Sequence, residues 1–414
     1  EAIPKICPYV LKKDKWGNPI YPFEISRTNE EEVCLQAGYY VGALWLVKHH
    51  KFVYIEPKMN KKQVVEGLPT QEEEWAEIDY LKMLLSITAL DPKHTQNLIK
   101  IYWDEPLIAI EQQKDTLTPF LMVQFLLLLK RIVCKGLKKS YYTVEENLNN
   151  RIKGKIQLDK HLKQNVFKNK LTAHVCRYQE FEMDSLENRF LKKVLQFIIS
   201  FKNTHSNYFA GNDESIRELI TYCSPYFELI SEEIDVENLK KLTSNTFFKE
   251  YEEAIRIGKH ILKRFSYNIT ETTQQKVAIP PFWIDMPKLF ELYVYKKLQE
   301  KFDKEAVTYH LTTDYTELDF LLNTPEYKMV IDAKYKTVYE DSRVIDDIRQ
   351  VSAYARLERV YKALKIDDDR LIDCLIVYPS FEQNTDLNIA NKKEIHQYRN
   401  IYKLSVSVPL IINN

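Results

Sequence analysis

The chain has 414 residues, of which 59 are lysine or arginine and 59 are aspartate or glutamate, so its formal net charge is zero. This length suffices for about two or three domains with buried cores. The overall charge gives no support for nucleic-acid binding, which would have to come from local patches. Glycine is scarce, at 8 residues, and the phosphate-binding patterns G-x-x-x-x-G-K-[ST] and G-x-G-x-x-G do not occur. We therefore expect the chain itself to bind no nucleotide.

The 6 cysteines show no C-x-x-C spacing, which predicts reduced thiols and neither a disulfide framework nor a zinc ribbon. We recognise no signal peptide at the start of the chain. The longest apolar run, 120–129, is shorter than the roughly 20 apolar residues that cross a bilayer. Thr118 followed by Pro119 is typical of a helix start, which predicts a buried helix that ends near Gly136. The expected location is the cytoplasm, with no membrane partner.

Hydrophobic patterning divides the chain into three parts and predicts a mixed α/β, multidomain fold. Residues 1–110 contain apolar runs such as YYVGALWLV and KFVYIEP, together with a helical segment at 72–87, and form a predicted strand-rich domain. Residues 111–275 are predicted to be mainly helical. The tandem prolines Pro280 and Pro281 stop a helix and mark a boundary. Residues 276–414 alternate helix, strand, strand, helix, strand, as an α/β core does.

Two acidic residues and a lysine occupy two short apolar runs in this last part. LDFLL and KMVIDAKYK predict adjacent strands joined by a turn. Because side chains alternate along a strand, Asp332 and Lys334 face the same side. A turn centred on the Pro325–Glu326 bond places Asp319 directly opposite Asp332, with the β-carbons about 5 Å apart. Carboxylates that close repel each other unless one is protonated or a cation lies between them.

A hard divalent cation fits this pair of acids. Mg²⁺, or Mn²⁺ in its place, is the expected cofactor, and the predicted metal-binding residues are Asp319, Asp332 and, through its main chain, Ala333. Water bound to such an ion ionises more easily and can attack a phosphodiester. Lys334 can orient that water or stabilise charge on the phosphate. A D-x-K triplet alone is more often a solvated strand face, but an ion pair beside a second acid in a buried hairpin is costly without a function. The hairpin therefore predicts a metal-dependent nuclease.

The pattern Asp319…Asp332-Ala333-Lys334 resembles the PD-(D/E)XK nuclease superfamily, and more narrowly the McrC family of nuclease subunits from McrBC-type modification-dependent restriction systems. Other segments resemble McrC in the same order along the chain: RIKGKIQLDKHLKQN, CRYQEFEMDSLENRFLKKVL, IDMPKLFELYVYKKL, VIDAKYK, DDIRQVSAYA and LIVYP. The resemblance covers roughly the last two thirds of the chain and, more weakly, its first sixty residues. It implies a restriction-endonuclease-like α/β core in 276–414.

Three more candidate catalytic residues follow from the resemblance. Glu291 lies on the helix after Asp285, where an acid in related nucleases can complete the metal site, and an exposed helix glutamate fits the pattern equally well. Gln350 and Tyr354 are four residues apart on a helix expected at 344–364, so they share one face. A Q-x-x-x-Y element after D-x-K resembles the RecB-like branch of these nucleases, where it lines the active site.

The resemblance also implies partners. By similarity to McrC, the N-terminal half docks onto a hexameric McrB-like AAA+ GTPase and stimulates it. The assembly then cleaves double-stranded DNA in defence against foreign DNA, with modified-cytosine DNA as a candidate substrate. The basic run 151–170 holds seven lysines and arginines and one acid, Asp159. It can follow DNA phosphates or an acidic partner surface, or be a solvated helix. The tract 135–155 is predicted to be a long connection or an extended hairpin.

Two alternatives to a catalytic subunit stay open at this point. One is a noncatalytic adaptor that activates the AAA+ ring and uses the nuclease fold as a scaffold. The other is a stand-alone nuclease that holds DNA with its basic run. The presence of Asp319, Asp332 and Lys334 together favours the catalytic subunit, because an adaptor does not need all three.

Overall fold

The structure, a computed structural model, describes most of the chain. The described residues are 12–13, 19–27, 33–57, 77–87, 90–91, 93–95, 97–111, 117–204, 209, 212–234, 249–268, 276–312, 317–336, 344–382 and 386–411. The strands within them are β1 (Lys12–Lys13), β2 (Pro19–Ile20), β3 (Phe23–Arg27), β4 (Val33–Ala37), β5 (Tyr40–Val47), β6 (Lys51–Ile55), β7 (Glu77–Ile78), β8 (Ile99–Ile101), β9 (Ile108–Glu111), β10 (Ser140–Asn149), β11 (Lys155–Ile156), β12 (Ala173–Glu182), β13 (Lys276–Ile279), β14 (Phe282–Asp285), β15 (Val307–Thr312), β16 (Glu317–Asn323), β17 (Lys328–Ala333), β18 (Asp373–Ser380), β19 (Lys393–Glu394), β20 (Ile401–Ser407) and β21 (Leu410–Ile411). The α-helices are α1 (Tyr80–Ser86), α2 (Leu117–Lys135), α3 (Leu158–Gln164), α4 (Leu186–Thr204), α5 (Asp213–Cys223), α6 (Lys249–Asn268), α7 (Met286–Lys301), α8 (Val344–Tyr354) and α9 (Glu358–Leu364).

The chain divides into two compact units. Unit 1 comprises Glu1–Asp115 and Gln275–Asn414, and unit 2 comprises Thr116–Gln274. The predicted segments 1–110 and 276–414 thus lie in the same compact unit. Their separation into a docking domain and a nuclease domain stays a prediction.

A six-stranded mixed sheet forms the centre of unit 1, in the order β15-β16-β17-β18-β20-β19. Strands β15, β16 and β17 pair antiparallel, whereas β17, β18 and β20 pair parallel. The interior residues of β17 and β18 are all buried, as expected for parallel strands covered on both faces. Val351 of α8 and Val360 of α9 pack in one core cluster with Leu321. Phe320 faces the other side and stacks on Tyr295 of α7.

A second sheet of unit 1 combines N-terminal and C-terminal segments, in the order β6-β5-β14-β8. Gly42 of β5 lies opposite Trp283 of β14, and a Cβ at Gly42 would lie 2.0 Å from the carbonyl oxygen of Phe282. Only glycine allows this approach of the two backbones. Strand β14 leads directly into α7, whose first turn is capped by Asp285, which accepts a hydrogen bond from the Lys288 N–H at 3.1 Å.

Unit 2 contains helices α2, α3, α4, α5 and α6 and a three-stranded sheet in the order β10-β12-β11. Helix α2 begins at Leu117 and ends before Gly136, whose φ of 92° suits a residue that follows a helix. The predicted buried helix is confirmed. By length and composition α2 could cross a membrane, but 78% of its most apolar window is buried inside the protein, as in the core helix of a folded domain.

Three predictions of secondary structure need correction or limits. The tract 135–155, predicted to be a long connection or an extended hairpin, contains β10, which pairs along its whole length with β12 outside the tract. The prediction of a single helix at 344–364 is wrong, because α8 ends at Tyr354 and Leu357 has an extended backbone before α9 begins. This break lets Leu357 pack against the same core as Val360. Residues 80–86 of the predicted 72–87 segment are helical, and 72–76 lie outside the described residues.

Candidate active site

The hairpin of β16 and β17 has the register that the sequence predicts. Paired positions run from Asn323 and Lys328 to Phe320 and Ile331, so the next positions along the strands are those of Asp319 and Asp332. The turn is closed by a hydrogen bond from the Thr324 N–H to the Tyr327 carbonyl at 2.8 Å.

The acidic side chains lie where regular pairing of the two strands ends. Asp319 Oδ2 accepts a hydrogen bond from the Ala333 N–H at 2.8 Å. Asp332 is fully buried, and its Oδ2 lies 2.7 Å from Nζ of Lys334 as an ion pair. Neither oxygen of Asp332 has a well-aligned hydrogen-bond donor among the described residues. The structure therefore brings Asp319, Asp332 and Lys334 together as predicted.

Burial and like charge shift the pKa values of this group. Burial raises the pKa of Asp319 well above its ordinary value, and the negative charges of Asp332 and Glu291 raise it further. Burial also raises the pKa of Asp332, although the neighbouring Lys334 ammonium opposes this. Burial lowers the pKa of Lys334, but the attraction of Asp332 and Asp319 outweighs it, so the net shift is upward. Lys334 is thus a fixed cation at neutral pH, whereas the two acids resist carrying two charges.

Gln350 and Tyr354 both lie at this site. Lys334 Nζ donates a hydrogen bond to Gln350 Oε1 at 3.0 Å, and Gln350 Nε2 donates to the Tyr354 hydroxyl at 2.6 Å. The ammonium of Lys334 therefore contacts Gln350 of α8 as well as Asp332, and Tyr354 holds Gln350 in place. Their predicted catalytic role stays a prediction.

Glu291 is partly buried on α7, and its Oε1 accepts a hydrogen bond from His310 Nε2 at 2.6 Å. Its charge raises the pKa of both Asp319 and Asp332, so it belongs to the same electrostatic cluster. Among the described parts of the chain, no three His, Cys, Asp or Glu side chains are arranged to hold a metal ion together. With the side chains as they stand, Glu291 contributes charge to the site and not a third coordinating group.

Two residues of the site were missed by the sequence reasoning. Asp347, nearly fully buried on α8, accepts hydrogen bonds from Lys336 Nζ at 2.6 Å and from the Tyr378 hydroxyl at 3.3 Å. Its position three residues before Gln350, on the same helix face, was the available signal. Lys336, two residues beyond Lys334, is held by this acid. His310 is the second missed residue.

The donor set suits a hard divalent cation. Asp332 is buried and pairs with the Lys334 ammonium, but the second buried acid, Asp319, leaves negative charge at the site that is costly unless a further cation balances it. Mg²⁺ commonly uses one or two carboxylates and keeps several waters, so two acids and a main-chain oxygen at Ala333 are a sufficient set. The residues present therefore fit the ion expected from the sequence.

A sequence model of the McrBC 5-methylcytosine restriction system component family matches residues 35–379. This match covers most of the chain, which therefore belongs to that family. The resemblance drawn from the sequence is confirmed at this level.

Two solved structures are similar to the chain. One is a refined half-complex from a tetradecameric assembly of Thermococcus gammatolerans McrB AAA+ hexamers with bound McrC, at 16% identity, 92% coverage of this chain, 80% coverage of that chain and a TM-score of 0.39. The other is a cryo-EM structure of the Thermococcus gammatolerans McrBC complex, at 16% identity, 66% and 69% coverage and a TM-score of 0.32. At these TM-scores the likeness adds nothing to the family assignment. A search of curated proteins returned no match.

Proposed function

We propose that this chain is the metal-dependent DNA endonuclease subunit of a McrBC-like restriction system. The observation that carries the proposal is the buried pair of acids Asp319 and Asp332, with the single ammonium of Lys334 ion-paired to Asp332. A noncatalytic scaffold gains nothing from such a costly arrangement. Membership of the McrBC family makes DNA the natural substrate.

Asp319, Asp332 and the main chain of Ala333 would hold Mg²⁺ or Mn²⁺. The bound ion would supply an acidic water and stabilise negative charge on the phosphate. Lys334, fixed between Asp332 and Gln350, can orient the attacking water by hydrogen bonding or stabilise the developing phosphate charge. Gln350 is fixed in turn by Tyr354, so Lys334 needs little reorganisation during the reaction.

We also propose that the chain works in the cytoplasm with a hexameric McrB-like AAA+ GTPase, which it stimulates. Support comes from the family match and from the absence of nucleotide-binding loop patterns in the sequence, which leaves nucleotide hydrolysis to a partner. Double-stranded DNA is the proposed substrate, and modified cytosine is the feature that the family description suggests. Within the basic run, Lys153 and Lys160 pair with Glu180 and Glu145, so the other basic residues are the better candidates for phosphate contact.

Plasmid cleavage tests the proposal. We expect Mg²⁺-dependent cleavage with the AAA+ partner and GTP, and a loss of at least about 100-fold in Asp332→Ala, since charge-stabilising groups of active sites are commonly worth this much. Asp346→Ala is the matched control, because Asp346 is an exposed acid on the neighbouring α8. This variant should cleave DNA as the wild type does.

Three results would contradict the proposal in different ways. DNA cleavage by the Asp332→Ala variant at the wild-type level would show that the active site is wrongly assigned. Strong cleavage without partner or nucleotide would indicate a stand-alone nuclease. GTPase stimulation with no cleavage by the wild type would indicate the adaptor.

A further inference from the structure

His310 lies in β15 at the position opposite Asp319. The flanking pairs are Tyr309 with Phe320 and Leu311 with Leu318, and regular pairing is interrupted between them. The φ of His310 is 53°, in the left-handed region. Asn, Asp and His enter this region more often than other side chains, but it remains uncommon for them. Backbone distortion of this kind is concentrated at functional sites, and here it lies beside the acidic pair.

Both ring nitrogens of His310 face carboxylates from different elements. Nε2 lies 2.6 Å from Glu291 Oε1 on α7, and Nδ1 lies 3.2 Å from Glu317 Oε1 on β16. The ring also stacks on Tyr309, with centroids 3.8 Å apart. The ring is therefore held on three sides, and the left-handed backbone is what directs it between the two acids.

The contact with Glu291 matters most, because Glu291 acts electrostatically on both acids of the predicted metal site. The Glu291 charge raises the pKa of both Asp319 and Asp332, so its carboxylate adds to the negative potential in which a cation would sit. A glutamate has three side-chain torsions and would sample several positions if left free. The bond to His310 fixes one of its oxygens.

We propose that His310 is a positioning residue of the candidate active site, which holds the Glu291 carboxylate beside Asp319 and Asp332 so that three fixed negative charges attract the divalent cation. This role rests on the proposed function. His310 touches neither the substrate nor the ion and acts through Glu291. Partners of this kind around metal sites commonly change metal affinity or activity by about 10- to 100-fold.

Two substitutions separate the contacts of His310. The amide nitrogen of asparagine reaches about as far as Nδ1 of histidine, and that of glutamine about as far as Nε2. His310→Asn therefore tolerates the left-handed backbone and can keep the Glu317 contact, but it loses Glu291. His310→Gln can keep the Glu291 contact. His94→Gln is the matched control, because His94 packs edge-on against the Tyr309 ring 4.6 Å away and serves as the second histidine of this region.

The measurement is Mn²⁺ affinity by titration calorimetry on the full chain, with the Mg²⁺ dependence of cleavage as a second readout. We expect His310→Asn to weaken Mn²⁺ binding by about 10- to 100-fold with an unchanged melting temperature. His310→Gln should weaken Mn²⁺ binding less than His310→Asn does, and His94→Gln should bind Mn²⁺ as the wild type does. Glu291→Gln should weaken binding too, and adding His310→Asn to it should cause no further loss.

Unchanged or tighter Mn²⁺ binding in His310→Asn would overturn the inference, as would a further full loss when it is added to Glu291→Gln. Asp332→Ala distinguishes this failure from failure of the proposed function. If Asp332→Ala abolishes Mn²⁺ binding while His310→Asn binds normally, the proposed function stands and the role of His310 is overturned. If Asp332→Ala binds Mn²⁺ as the wild type does, the proposed site fails and the role of His310 fails with it.

Discussion

At the scale of residues, Asp319, Asp332 and Glu291 carry more negative charge than Lys334 balances. Asp319 is flanked by the charges of Asp332 and Glu291, and Lys334 already pairs with Asp332. Without a cation, ionisation of Asp319 in the folded protein is therefore unfavourable, and its pKa lies well above the ordinary value of about 3.9. Folding is thus stabilised by keeping Asp319 protonated.

This shift predicts a pH-dependent gain in stability for Asp319→Asn in the absence of divalent ions. A group with a raised folded-state pKa contributes stability that is complete below its unfolded pKa and lost as the pH rises through its folded pKa. Asparagine removes that loss and can still accept the Ala333 hydrogen bond. We expect Asp319→Asn to be about 1–3 kcal/mol more stable than the wild type at pH 8 in EDTA, with a smaller difference at pH 5. Urea unfolding at the two pH values measures this.

The control for this prediction is Asp346→Asn, which changes an acid that is exposed on α8. It should show no comparable dependence on pH. A wild type that is as stable as Asp319→Asn at pH 8 would show that the acidic cluster is not strained in the cation-free protein.

Some residues of the candidate site could be predicted from the sequence and others could not. Asp319, Asp332 and Lys334 were predictable because strand alternation and one short turn fix their relative positions. His310 was not, because its contacts depend on a left-handed backbone and on the placement of α7, and neither leaves a local pattern. The place of Gln350 and Tyr354 at the site was predicted from the resemblance, since helical spacing shows only that they share a face.

At the scale of elements, β14 determines where α7 begins and thus where Glu291 lies. It pairs antiparallel with β5 on one side and with β8 on the other. The strand character of β5 was predicted from its apolar run, whereas β8 and β14 are too short to give such a signal. The pairing of the three strands was not predictable, because the partners lie far apart in sequence. Strand β10 left no clear apolar alternation either, since most of its residues are exposed.

Gly42→Ala tests the close contact of β5 with β14. The new Cβ would lie 2.0 Å from the Phe282 carbonyl oxygen at a φ of 155°, so one of the backbones must move. We expect a loss of at least about 3 kcal/mol in the free energy of unfolding, measured in urea, because the strand pairing itself is broken.

Gly136→Ala is the comparison for this change. Its φ is also positive, at 92°, but nothing lies within 4 Å of the added carbon. Only the conformational cost applies, which is about 1 kcal/mol. Equal losses at the two positions would show that backbone conformation, and not the contact with β14, sets the cost at Gly42.

At the scale of the whole molecule, the family match runs through both compact units, from residue 35 to 379. The proposed function assigns cleavage to a small cluster in unit 1 and nucleotide hydrolysis to another protein. The two activities should therefore respond differently to a change confined to the cluster.

We expect Asp332→Ala to keep full stimulation of the partner's GTP hydrolysis while it loses DNA cleavage. Asp332 is completely buried, so its removal leaves the surface available to a partner unchanged. Steady-state GTPase rates with wild-type and variant chains measure this. A parallel loss of stimulation in a folded variant would mean that the acidic cluster and the partner surface are coupled.

The position of β14 between β5 and β8 also governs how the protein is made. Residues 40–47 and 99–101 leave the ribosome long before 282–285, the strand that joins them. At about 5–20 residues per second, roughly 10 to 40 seconds separate the synthesis of β8 from that of β14. Over this interval the whole of unit 2 is synthesised, while β5 and β8 lack β14, the strand that pairs with both. The nascent chain therefore exposes strand edges that are open to wrong pairing until the last third of the protein emerges.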